Sequence, residues 1–104
     1  MIVLPNLALL EYFLEDPDNE RLEHMVVKDF RRTYSRIMPK KYWIFPQQPV
    51  VYVLSKSICI EFPSWGSKEY RYSLADLQRA LQTRFIFDVQ YFDGKTTFII
   101  RSVK

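Results

Sequence analysis

The sequence predicts an α+β fold: two N-terminal helices precede a β-β-α-β-β unit, and helices cover one face of a small antiparallel or mixed sheet. Apolar residues three or four positions apart dominate the first 38 residues, which is the spacing of amphipathic helices. Segments 50–62 and 85–103 are rich in β-branched and aromatic residues and fit the two-residue period of strands. An Asp-Gly pair inside the second segment is a strong hairpin signal.

The composition is that of one folded domain. The chain has 104 residues, of which 48% are hydrophobic and 26% are charged, and this excludes a disordered acidic or basic tail. We expect a single domain over 1–104, with a helical part at 1–38 and a ββαββ part at 49–104. The two glycines, Gly66 and Gly94, are too few and too far apart for a glycine-rich phosphate-binding loop.

Charge is unevenly distributed along the chain. The net charge is +3, but residues 1–23 carry −5 and the rest of the chain carries +8. Such asymmetry gives one side of the molecule an attraction for anions. We therefore expect an acidic partner, with nucleic acid (DNA or RNA) first and an acidic protein surface second.

The first helix is predicted over residues 7–15, with Asn6 as its N-cap. Its residues are apolar around nearly the whole circumference, so it is either enclosed in the core or offered to a homodimer partner. The apolar run is too short to span a membrane, and acidic residues interrupt it. No basic region or cleavage site marks a signal peptide, so we expect a cytoplasmic protein without a membrane partner.

The second helix is predicted over Pro17–Met38, with Asp16 as its cap and Pro17 at its first position. At 100° per residue its apolar side holds Leu22, Val26, Phe30, Thr33 and Ile37. The opposite side carries a set of basic side chains with no carboxylate among them, namely Arg21, His24, Lys28, Arg31, Arg32 and Arg36. Because the helix dipole does not choose a side, this basic side is the strongest functional signal in the chain.

A proline-rich connector is predicted after the second helix. It contains Lys40, Lys41 and Trp43, and two interpretations remain open. The aromatic side chain anchors the connector to the core, or lysines and aromatics together form a stacking platform for unpaired bases.

The remaining elements follow in order. Residues 50–62 form two short strands with a turn at Ser55-Lys56, or one bent strand. A loop follows, then a short extended segment at 69–72, and then a helix over 74–84 capped by Ser73. Asp93-Gly94 predicts a type I′ turn. This turn pairs Tyr91 with Thr96, Val89 with Phe98, and Phe87 with Ile100.

Catalytic chemistry finds little support. His24 is the only histidine and Cys59 the only cysteine, so no disulfide within the chain and no cysteine-based metal site can form. No spacing of carboxylates matches a metal-dependent nuclease. We predict a non-catalytic module with no cofactor and no metal.

Nucleic-acid binding is the first hypothesis. Helix 74–84 running into a hairpin resembles the end of a winged-helix domain in outline, although no short helix-turn-helix precedes it. That resemblance implies that the helix reads base edges and that the hairpin acts as a wing. The predicted contact residues are Arg21, Lys28, Arg31, Arg32, Arg36, Lys40, Lys41, Arg79, Gln82 and Lys95.

Association with another protein is the alternative. Trp43, Trp65, Tyr70 and Tyr72 are large side chains of the kind that occupy interface centres. An adaptor, inhibitor or small accessory subunit would use them together with the apolar first helix. The two hypotheses differ in salt sensitivity, since phosphate binding weakens steeply with salt and an aromatic-anchored interface does not.

Overall fold

The computed structural model describes residues 4–35, 50–63, 68–92 and 94–104. Within these residues the chain forms three helices and four strands, and the α+β fold with the order α-α-β-β-α-β-β is confirmed. The elements are α1 Leu7–Glu15, α2 Glu20–Ser35, β1 Val50–Leu54, β2 Ser57–Pro63, α3 Lys68–Arg84, β3 Phe85–Phe92 and β4 Lys95–Val103.

The four strands form one antiparallel sheet in the order β1-β2-β4-β3. The alternative of a mixed sheet is therefore wrong. Because β4 lies between β2 and β3, the segment containing α3 crosses from one side of β4 to the other. β1 and β3 are the two outer strands.

The β3–β4 hairpin has the predicted register. Tyr91 pairs with Thr96, Val89 pairs with Phe98, and the strands continue in register to the irregularity between Ile86 and Phe87. Gly94 has a φ of 69°, the left-handed geometry that a type I′ turn requires.

The segment 50–62, for which the sequence left two interpretations open, is a hairpin. β1 and β2 pair directly, from Val50 opposite Glu61 to Leu54 opposite Ser57. Ser55 and Lys56 both have positive φ, at 52° and 66°. Positive φ at both turn residues is the geometry of a type I′ turn, but here neither residue is the glycine that adopts this left-handed conformation without a steric cost.

The helix caps follow short polar side chains. Asn6 caps α1 as predicted, and its Oδ1 accepts the Leu9 N–H at 3.1 Å. The prediction that Asp16 caps the second helix is wrong, because Asn19 does so and accepts the Leu22 N–H at 3.1 Å. Asp16 instead ends α1, where its backbone N–H donates to the carbonyl of Phe13.

The third helix starts earlier than predicted. Residues 69–72 are helical and not extended, and Ser73 lies inside α3 and does not cap it. The alternating Glu-Tyr-Arg-Tyr sequence resembles a strand. However, Tyr70 lies four residues before Leu74, so it also extends the helical spacing of α3 backwards.

The core combines one face of the sheet with residues of all three helices. Leu10 and Phe13 come from α1, and Val26 and Phe30 from α2. The others are Leu77 and Leu81 of α3 and, from the strands, Val51, Ile58, Ile60, Phe62, Phe85, Phe98 and Ile100. The first helix therefore contributes to the core, while its Tyr12 remains 63% exposed.

Candidate nucleic-acid interface

The buried side of α2 fixes the direction of its basic side. Val26 and Phe30 are fully enclosed in the core. The side chains opposite them are exposed, as predicted. We call this exposed set the basic face of α2: Arg21, Lys28, Arg31 and Arg32. His24 is also exposed and lies among them.

The carboxylates of α2 lie at the edges of the basic face and not within it. Asp29 is half-buried, and its Oδ2 accepts the backbone N–H of Asn6 at 2.6 Å. This hydrogen bond directs the carboxylate towards the start of α1. Glu20 and Glu23 belong to the first turn, where negative charge stabilises the helix dipole.

Ion pairs elsewhere leave most of the basic face uncompensated. Among described residues the ion pairs are Arg79–Asp76, Arg84–Glu11 and Arg101–Asp88. None of them involves Arg21, Lys28 or Arg31. The positive charge of these three side chains is thus open to solvent and to an approaching anion.

The second predicted set of contact residues is separated from α2. Arg79, Gln82 and Lys95 are all exposed, and Arg79 is paired with Asp76. α3 contacts β3, whereas α2 contacts β1, and these strands are the opposite edges of the sheet. α1 lies between the two helices, contacting α2 and bound to α3 through the Glu11–Arg84 pair.

The winged-helix outline is also incomplete. The hairpin β1–β2 separates α2 from α3 along the chain, so the two helices do not form a helix-turn-helix. The structure therefore brings together the basic residues of α2 but does not join them to those of α3.

Several predicted site residues lie outside the described residues: Arg36, Lys40, Lys41, Trp43 and Trp65. Tyr70 and Tyr72 belong to α3, and at these two positions the structure describes the helical backbone.

The sheet face opposite the core carries a polar group around Cys59. The thiol belongs to a residue that is 3% exposed, and burial raises its pKa above the ordinary value of 9.0. The Tyr52 hydroxyl donates to Glu61 Oε1 at 3.1 Å. The pKa of Tyr52 is raised, chiefly by burial and secondly by this hydrogen bond.

His24 and Cys59 are not brought together. Cys59 alternates along β2 with Ile58 and Ile60, which belong to the same core cluster as Val26 and Phe30 of α2. The sheet therefore stands between the thiol and α2. His24 borders a shallow hollow of about 370 Å³ together with Glu20, Glu23 and Val27.

Sequence reasoning missed one surface. Tyr91 and Phe92 at the end of β3 are 73% and 81% exposed, and Ile86 at its start is also exposed. The hairpin register alone could have placed these residues on β3. It could not have shown that β3 is an outer strand, because the strand order depends on pairing between β2 and β4.

The described residues contain neither a membrane-spanning helix nor a metal-binding cluster. No helix there is both long enough and apolar enough to cross a membrane. No group of three or more His, Cys, Asp or Glu side chains in these segments could hold a metal ion.

Comparison of the chain with protein-family models, with curated proteins and with solved structures finds no match.

Proposed function

We propose that this protein is a small, non-catalytic nucleic-acid-binding module that contacts phosphates through the basic face of α2. The observation that carries the proposal is the grouping of Arg21, Lys28, Arg31 and Arg32 on one exposed helix side without an intervening carboxylate. Lys and Arg side chains grouped in this way displace the counterions that surround phosphates, and this release drives binding.

The dimensions of the basic face suit a nucleic-acid backbone. Arg21 and Arg32 are eleven residues apart, which corresponds to about 16 Å along a helix. Each strand of duplex DNA carries one phosphate per roughly 3.4 Å of the helix axis, so a single strand presents several phosphates over the length of this face. The burial of Val26 and Phe30 sets the direction of the face before binding.

In this proposal the residues of α3 and the hairpin have a secondary role. Arg79, Gln82 and Lys95 lie towards the other edge of the sheet, so they would contact a separate stretch of the same polyanion. His24 is a surface residue that lies among the side chains of the basic face. We further propose that the protein acts in the cytoplasm.

The test compares two variants of equal charge. Lys28→Gln/Arg31→Gln alters the basic face, and Lys56→Gln/Arg101→Gln removes two exposed charges elsewhere. Each lowers the net charge from +3 to +1. Fluorescence anisotropy with labelled duplex DNA, single-stranded DNA and RNA measures the dissociation constants.

We expect the basic-face variant to bind duplex DNA about 200-fold more weakly at about 50 mM salt, because two phosphate contacts are lost. The control variant should lose much less. Equal losses in both variants would show that binding follows net charge and not this face. Absence of binding by the wild type at low salt would overturn the proposal in favour of a protein–protein interaction module.

A further inference from the structure

Within the described parts of the chain, the outer edge of β3 is paired with no other strand, and β3 pairs with β4 alone. An outer strand exposes backbone N–H and C=O groups that can pair with another strand, and proteins usually protect such edges with prolines, charges or short strands. β3 has eight residues, no proline and one charged residue, Asp88, which is paired with Arg101.

Burial decreases towards this edge. Rows of paired residues cross the core face of the sheet, and in each row the residues of β2 and β4 are buried while that of β3 is half-buried or exposed. The rows are Ile60–Phe98–Val89, Ile58–Ile100–Phe87 and Phe62–Thr96–Tyr91. These β3 side chains form an apolar margin on the core face that a further strand would cover, while Phe92, on the opposite face, is also exposed.

The hairpin turn determines which backbone groups face outwards. Phe92 and Lys95 flank the two-residue turn and pair with each other, so the backbone N–H and C=O groups of Phe92 are directed towards β4. Because the direction alternates along an antiparallel strand, Phe87, Val89 and Tyr91 direct their N–H and C=O groups away from β4.

We propose that β3 pairs with β3 of a second copy of this chain, antiparallel about a two-fold axis at Val89. In this register Phe87 lies opposite Tyr91 of the other copy, and Val89 lies opposite its counterpart. The outward backbone groups of all three residues then obtain partners. The two sheets join into one of eight strands, and the interface is isologous.

Side chains select this register over the one with its axis at Asp88. A two-fold axis at Asp88 would place two Asp88 carboxylates opposite each other, which is unfavourable. With the axis at Val89, each Asp88 lies opposite Gln90 of the other copy. The exposed Ile86 then lies opposite the exposed Phe92 of the other copy, so apolar surface meets apolar surface.

The test is sedimentation velocity up to millimolar protein concentration, without nucleic acid, on matched variants of Gln90. Gln90→Lys places an ammonium opposite Asp88 of the other copy twice per dimer and should tighten dimerisation by about tenfold. Gln90→Glu should weaken it by a similar factor. Equal effects of the two variants would overturn the register and with it the proposal.

A second pair of variants separates β3 from α1. Phe92→Lys should abolish dimerisation, whereas Tyr12→Lys replaces an exposed aromatic residue of α1 and should leave it unchanged. Both positions are exposed, so folding should be preserved, and circular dichroism checks this. A wild type that remains monomeric, or a dimer that only Tyr12→Lys disrupts, would contradict the proposal.

Discussion

Replacing Lys56 by glycine should stabilise the protein. Lys56 has a φ of 66°, where a Cβ atom costs roughly 1–2 kcal/mol. Glycine removes this cost but loses about 0.5–1 kcal/mol more backbone entropy on folding. The net gain is about 0.5–1 kcal/mol. With an unfolding entropy of roughly 2.1 cal/mol/K per residue over 104 residues, Tm should rise by about 3 °C.

The gain is measured by urea unfolding, with two controls. Lys56→Ala removes the same charge but keeps the Cβ atom, so it should not stabilise. Gly94 occupies the equivalent position of the other hairpin with a φ of 69°, so Gly94→Lys should lose about the amount that Lys56→Gly gains. If Lys56→Gly destabilises while Lys56→Ala does not, the turn is not left-handed and the hairpin assignment is refuted.

Two further predictions concern the cap of α1 and the thiol of β2. Asn6→Ala removes the acceptor of the Leu9 N–H and should cost about 1 kcal/mol of unfolding free energy, whereas Asn6→Ser keeps a neutral acceptor and should cost little. Burial raises the pKa of Cys59, so the folded protein binds the thiol proton more tightly than the unfolded chain does. The contribution of Cys59 to the free energy of unfolding should therefore be complete below pH 9.0 and should be lost as the pH rises through the folded-state pKa. Cys59→Ala should flatten this decline in unfolding experiments, and an unchanged decline would contradict it.

Elements set by local sequence could be predicted. The β3–β4 register follows from Asp93-Gly94, because a two-residue turn fixes which residues pair. The β1–β2 turn lacks glycine, so the sequence could not decide whether residues 50–62 form a hairpin or one bent strand. The predicted start of α3 was wrong because residues 69–72 fit both the two-residue period of a strand and the spacing of a helix, and packing decides between the two.

The basic face of α2 was equally accessible from sequence, since one helical period places its residues together. The separation of this face from Arg79 and Gln82 could not be predicted from the sequence. That separation depends on the pairing of β2 with β4, which joins residues about forty positions apart and places α2 and α3 at opposite sheet edges. The exposed edge of β3 depends on the same long-range pairing.

The most direct test of the proposed function is the salt dependence of binding. The logarithm of the association constant for duplex DNA is measured against the logarithm of salt concentration, for the wild type and for Lys28→Gln/Arg31→Gln. Each lost phosphate contact should reduce the slope by about 0.9, so the variant should be less steep by about 1.8. Parallel lines would show that Lys28 and Arg31 contact no phosphates and would contradict the proposed role of α2.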